Sequence, residues 1–184
     1  MVKLKEMKHV LVAIISLFFV VSCAESKKEE SSQKKETKKV KTIKKVQVPK
    51  KEKMVIVDSD GVVNVSMITD DRMKFNLRKI TVKAGQKIKL TLTHKGKLNK
   101  KIMGHNVVFL NKGVKVSTFA SKASGAQASD YIPEGTTDVL AYTKLVGGGE
   151  TTTIEFTAPA AGTYDYICSF PAHYAMMKGK LIVQ

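Results

Sequence analysis

The 184-residue sequence has no tryptophan, only two cysteines, four histidines and four prolines, and its aromatic content is 7%. Each scarcity excludes something. Two cysteines cannot frame a disulfide-built mini-domain. Few aromatics, and no basic stripe interleaved with them, argue against nucleic-acid binding despite a net charge of +16. No apolar run reaches the ~20 residues of a membrane-spanning helix. The run at residues 10–21 is about 12 long, and no internal repeat is present.

That run follows a basic start (Lys3, Lys5, Lys8) and ends in Val20-Val21-Ser22-Cys23. A basic start and a short apolar stretch are the pattern of a secretory signal. The small or aliphatic residues before Cys23 resemble a bacterial lipoprotein processing site. Residues 1–22 are therefore expected to be a leader and Cys23 the lipidated residue, which anchors the protein at the periplasmic face of a bacterial membrane. Residues 23–53 read as a tether. From residue 24 they hold twelve lysines against five glutamates and almost nothing apolar, too little to offset the entropy of ordering. This segment would stay disordered and hold a domain off the membrane, with its lysines available to anionic lipid. An acylated Cys23 cannot pair with Cys168. Cys168 is then a lone thiol in a disulfide-permissive compartment, which suggests intermolecular pairing, a reactive thiol or a metal ligand.

Residues 54–184 are long enough to bury a core and read as all-β. Alternating or β-branched runs recur at 54–57, 62–67, 80–82, 88–93, 107–110, 139–142, 152–156, 164–168 and 181–183, separated by turn signals such as Asp60-Gly61, Lys95-Gly96 and Gly147-Gly148-Gly149. The pattern predicts an antiparallel sandwich or barrel. Residues 113–131, rich in Ala, Ser and Lys, lack this alternation and predict a helical flap between strands. In the last strand Lys178 and Lys180 belong outside, so Met177, Gly179, Leu181 and Val183 share the inward face and Met176 faces out.

The chemistry concentrates in Cys168-Ser169-Phe170-Pro171-Ala172-His173-Tyr174-Ala175-Met176-Met177. Cys-x4-His-x3-Met at the end of one strand, on a loop and at the start of the next can bring thiolate, imidazole and thioether to one point. These ligand types suit copper that cycles between Cu(I) and Cu(II), and trigonal His2Cys with a weak axial Met marks blue-copper sites. A second histidine is needed, and His94 and His105 are available.

Met103-Gly104-His105-Asn106 followed by this cysteine loop resembles the azurins, blue-copper proteins of the cupredoxin family. Thr93-His94-Lys95-Gly96, Ser129-Asp130-Tyr131 and Ala141-Tyr142-Thr143-Lys144-Leu145-Val146-Gly147-Gly148-Gly149-Glu150 fall in the family's order too. The resemblance implies a Greek-key β-sandwich or barrel with one mononuclear type 1 copper. It implies His105, Cys168, His173 and Met177 as ligands, with the Gly104 carbonyl as a weak axial contact; His94 would not be a ligand. Asn106 would brace the ligand loops through hydrogen bonds, including to Ser169. Backbone N–H groups of Asn106 and Phe170 would point at the Cys168 sulfur and tune the metal.

The resemblance also implies transient docking of redox proteins, a cytochrome or a copper reductase or oxidase, through an apolar patch around the His173 edge. The matching positions are Met73, Leu98, Ile102, Met103, Phe170, Pro171, Ala172 and Met176. Lys95, Lys97, Lys100 and Lys101 stand beside them, either as a solvated loop or as groups that steer an acidic partner. Departures from the family are the missing disulfide, the missing tryptophan, and Val107, Val108 and Ile167 in place of aromatics near the metal. The expected function is a monomeric, membrane-anchored electron carrier and not an enzyme. Multicopper catalysis needs more histidines than the chain has after its leader, and a two-copper centre needs a second thiolate. The alternative is a copper-binding or chaperone lipoprotein; zinc fits a His2Cys set but gains little from a thioether.

Overall fold

The computed structural model describes residues 53–184. The expected leader at 1–22, Cys23 and nearly all of the tether at 23–53 lie outside the described residues.

The described residues form nine strands in two sheets. In chain order they are β1 (Val55–Val57), β2 (Val63–Thr69), β3 (Lys79–Val82), β4 (Lys87–His94), β5 (Val108–Leu110), β6 (Val139–Tyr142), β7 (Thr151–Thr157), β8 (Gly162–Ile167) and β9 (Lys178–Val183). One sheet has the order β1-β2-β4-β7 and the other β3-β9-β8-β5-β6. Every run expected from alternation is a strand, with ends displaced by up to three residues. The expectation of purely antiparallel pairing needs correction, because β2 pairs β4 and β3 pairs β9 in parallel. The chain crosses to the opposite sheet for β3 before returning for β4. An intervening strand in the other layer lets two neighbours run the same way without a hairpin.

The inward faces follow a period of two. Val63, Val65 and Met67 of β2 meet Ile88, Leu90 and Leu92 of β4, and Leu181 and Val183 close the core from β9. Phe109 and Tyr166, with ring centroids 5.4 Å apart, occupy its centre. The expected flap is helix α2 (Val116–Ala123) and a 3₁₀ turn at Gln127–Ser129. Phe119, Ala120 and Ala123 pack on Val108, Leu110 and Ile167, the outer face of the second sheet. Strand β5 is thus buried on both sides, which explains its unbroken apolar run. Full burial of Phe119 alone contributes roughly 1.5–3 kcal/mol.

A short helix, α1 (Lys100–Met103), precedes Gly104, and Asn99 caps it by accepting the Lys101 N–H at 3.0 Å. Alternation did not signal this element, since one turn is too short for helical periodicity. At the other end of the chain β8 and β9 pair in antiparallel fashion. Their ladder is extended by the Cys168 N–H, which donates to the Met177 carbonyl at 3.0 Å. Both residues therefore lie just outside the strands. His173 begins a 3₁₀ turn, His173–Ala175. Met177 is buried in line with Gly179, Leu181 and Val183, whereas Met176 is 46% exposed. The exposure of Met176 comes from its place at the end of the 3₁₀ turn, not from strand parity.

Candidate metal centre

Two segments supply the donors. Cys168 and His173 come from the connection between β8 and β9. His105 follows α1 and is held by a two-bond bridge to Val146, each N–H donating to the other's carbonyl at 2.9 Å. The Cys168 Sγ lies 3.9 Å from His105 Nδ1 and 3.7 Å from His173 Nδ1, and the two Nδ1 atoms are 3.2 Å apart. All three donor atoms fall within 4.8 Å of one another, and all three residues are buried.

The surroundings set the protonation of this cluster. The Nε2–H of His105 donates to the Asp70 carbonyl at 3.1 Å. A carbonyl can only accept, so the neutral ring carries its lone pair on Nδ1, facing the sulfur. Burial, and then the neighbouring His173, lowers the His105 pKa to about 4, and burial lowers His173 likewise to about 4. Both imidazoles are neutral ligands at neutral pH. Burial pushes the Cys168 thiol up to about 12, opposed by backbone N–H groups of Asn106 and Phe170 that favour the thiolate. A thiol of this kind ionises only against a positive charge. One sulfur and two imidazole nitrogens converging in a buried pocket suit a soft, thiolate- and imidazole-binding cation, and so fit copper.

Asn106 joins the loops. Its Nδ2 donates to the Ser169 Oγ at 2.8 Å and to the Asp130 carbonyl at 2.9 Å, and its Oδ1 accepts the Ser169 N–H at 2.9 Å. Phe170 packs on the His173 ring at 4.6 Å and edge-on to Tyr131 of the flap at 5.0 Å. The Gly104 carbonyl oxygen lies 3.9 Å from the Cys168 Sγ. Gly104 has an ordinary extended backbone, φ −71°. It is needed for space: a Cβ there would stand 2.5 Å from the Lys100 carbonyl and 2.8 Å from Leu145 Cδ2. Met177 is fully buried in the core cluster that contains Cys168.

The sequence profile described as copper binding proteins, plastocyanin/azurin family, matches residues 61–184. The chain belongs to the plastocyanin/azurin family. It is 40% identical over 117 residues to Azurin-2 of Alcaligenes xylosoxydans xylosoxydans, covering 61% of this chain and 91% of that protein. It is 37% identical over 115 residues to Auracyanin-A of Chloroflexus aurantiacus, covering 61% and 68% respectively. The solved structure of auracyanin A, described as a "blue" copper protein, superposes with a TM-score of 0.62 at 32% identity, covering 67% of this chain and all of that one.

The family binds copper, and His105, Cys168 and His173 are the side chains that this member brings together for it. His94 stays outside the cluster although its ring stacks on His105 at 4.6 Å. Its Nδ1 accepts the Gly96 N–H at 2.9 Å and its Nε2–H donates to the Met103 carbonyl at 3.0 Å, so neither nitrogen is free. Of the apolar residues expected at a docking patch, Leu98, Ile102, Pro171, Ala172 and Met176 are exposed, while Met73, Met103 and Phe170 are half-buried. Sequence reasoning missed the Asp70 carbonyl behind His105. It also missed Asp71, whose carboxylate accepts the N–H groups of Lys97 at 2.8 Å and Leu98 at 3.3 Å. The Asp70 contact is made by a backbone carbonyl, which has no residue signature.

Proposed function

We propose that this protein is a one-electron carrier with a mononuclear type 1 copper that His105, Cys168 and His173 would hold, with Met177 and the Gly104 carbonyl as further, weaker ligands. Copper bound there would supply reversible one-electron chemistry between Cu(I) and Cu(II). The observation that carries the reading is the burial of all three donors within 4.8 Å of one another. Such a site is closed to a substrate yet open to an electron. The chain's own residues keep the donors in place between redox states: Asp70 fixes the His105 tautomer, Asn106 ties the two ligand loops, and Phe170 wedges His173 against the flap. Donors held without reorganisation make electron exchange fast. His173 keeps 5% exposure, beside the exposed Pro171 and Ala172, which supports its ring edge as the point of exchange with a transient redox partner.

We further propose, from the sequence pattern at 1–53, that Cys23 carries lipid and that the domain works from a tether at the periplasmic face of a membrane. Replacing Cys23 by Ala should move the protein from the membrane to the soluble fraction; continued membrane retention refutes the anchor.

The test of the metal reading is to load the full chain with Cu(II) and record its spectra. An intense blue thiolate-to-copper absorption with narrow copper hyperfine splitting is expected, and Cys168→Ser should abolish both. A colourless wild type refutes the blue-copper reading, and a blue Cys168→Ser variant refutes the ligand assignment. Met177→Leu, which nearly conserves volume, should stay folded and blue while the midpoint potential shifts.

A further inference from the structure

Residues 95–103 read Lys-Gly-Lys-Leu-Asn-Lys-Lys-Ile-Met, with four lysines and no acid. All four lysines are exposed. Three lysines elsewhere in the domain meet carboxylates, Lys89 with Glu155 at 3.5 Å, Lys122 with Asp138 at 3.5 Å and Lys180 with Asp165 at 2.6 Å. Most other described lysines are unpaired too, so what marks this loop is the crowding of its four lysines on one short segment. Among the described residues none of Lys95, Lys97, Lys100 and Lys101 has such a partner. The nearby acids are hydrogen-bonded to other groups, although those held by backbone N–H groups keep their charge. Asp130, which shares a cleft with Lys100 and Lys101, accepts the Leu145 N–H at 3.1 Å. Asp70 pairs with Arg72 at 2.5 Å, Asp71 accepts the N–H groups of Lys97 and Leu98, and Glu150 accepts the Gly147 N–H at 2.9 Å.

The backbone that carries these lysines is fixed. The Lys95 N–H donates to the Thr69 carbonyl at 2.8 Å, and the Leu98 carbonyl accepts the Gly148 N–H at 2.8 Å. Gly147 and Gly148 let the two loops touch: a Cβ on Gly148 would stand 2.6 Å from the Lys97 carbonyl carbon, and one on Gly147 2.5 Å from the Lys100 nitrogen. A pinned loop with four unpaired cations is a preorganised positive surface. It is interleaved with Leu98, 39% exposed, and Ile102, 60% exposed.

We propose that this loop is the partner-selecting half of the docking surface, and that it recognises an acidic redox protein. The proposal rests on the electron-carrier reading above. The lysines would supply long-range steering, and Leu98 and Ile102 a small apolar contact that releases quickly. Ile102 is three residues from His105, so a partner seated on Ile102 touches backbone within ~10 Å of the His105 backbone. A redox protein seated there can use that proximity; an anionic lipid surface has no centre with which to exchange electrons.

The test uses the copper-loaded full chain and reduced rubredoxin, an acidic one-iron protein, as donor. Each turnover takes one electron from Fe(II), leaving Fe(III), and converts Cu(II) to Cu(I), with no bond made and no proton moved. For wild type the second-order rate constant should fall steeply as salt rises. The triple variant Lys97→Gln, Lys100→Gln, Lys101→Gln should keep the blue spectrum and midpoint potential, react about ten-fold more slowly at low salt and show a flatter salt dependence. With basic cytochrome c as the probe the variant should be no slower than wild type. An unchanged rate and salt slope with rubredoxin overturns the proposal. So does a variant that keeps the rubredoxin rate but no longer binds vesicles containing phosphatidylglycerol, which would make lipid the occupant. If the wild-type chain never turns blue, the metal reading fails separately. The lysine proposal is then judged on low-salt complex formation between the chain and rubredoxin, which the triple variant must lose.

Discussion

Replacing Asn106 by Ala tests whether one buried amide holds the two ligand loops together. Asn106 is fully buried, and its amide serves Ser169 N–H, Ser169 Oγ and the Asp130 carbonyl at 2.8–3.2 Å. Alanine leaves the buried Ser169 N–H and the half-buried Asp130 carbonyl without this partner. An orphaned buried group costs about 1–3 kcal/mol, so the variant should lose roughly 2–5 kcal/mol of stability. For a domain of this size the midpoint of thermal unfolding should drop by roughly 10–20 °C. Ser169→Ala is the matched control, because it removes the hydroxyl but keeps the backbone N–H bond to Asn106; it should cost about 0.5–1.5 kcal/mol. Urea unfolding of both variants in the metal-free state, followed by circular dichroism, gives the two numbers without interference from metal binding. An Asn106→Ala loss below about 1 kcal/mol, or equal losses for the two variants, would refute the claim that the amide is the tie.

Three further outcomes are expected. His105 and His173 have folded pKa values near 4 against an ordinary 6.5, so their neutral forms stabilise the metal-free fold above pH 6.5. That contribution is lost as pH falls towards 4, up to about 3 kcal/mol for each ring. Urea unfolding of the metal-free chain at pH 7.5 and 4.5 measures this, His173→Gln should remove part of the difference, and a flat profile would contradict it. Gly104→Ala should destabilise the fold and alter the copper spectrum, because its Cβ would press on the Lys100 carbonyl and move the Gly104 carbonyl relative to the sulfur; an unchanged spectrum would show that this carbonyl does not sense the metal. Ala172 is held at φ 66°, a left-handed conformation that costs a non-glycine residue about 1–2 kcal/mol. Ala172→Gly should therefore raise the unfolding midpoint slightly, and a lowered midpoint would mean that its methyl group packs usefully.

What could be read in the sequence was whatever is local. Alternating or β-branched runs located all nine strands: most show one face turned to a shared core, and β5, covered by the flap as well, shows an unbroken apolar run instead. The cysteine loop was legible for the same reason: Cys168 and His173 lie on one connection, and spacing along the chain stands in for distance in space. The parallel β2–β4 and β3–β9 pairings were not legible, since they depend on which layer the chain enters between two strands. Helix α1 was missed because its single turn is set by the Asn99 cap and by close approach to Gly147, not by a periodic face.

The choice between His94 and His105 shows where local reading ends. Both follow short residues in similar contexts, both are fully buried, and their rings stack at 4.6 Å; residue type and spacing from Cys168 do not separate them. Resemblance favoured His105, and the structure supplies a physical basis. His94 has spent one nitrogen on the Gly96 N–H and the other on the Met103 carbonyl. His105 spends only Nε2, on the Asp70 carbonyl, and turns Nδ1 towards the sulfur. Two backbone groups engage one ring completely and a single carbonyl engages the other by half, so the difference between spacer and candidate ligand lies in main-chain partners that carry no side-chain signature. By this argument the two histidines are not interchangeable as ligands. His105→Gln should abolish blue copper binding even though His94 remains within stacking distance, because neither His94 nitrogen can ligate without giving up its hydrogen bond.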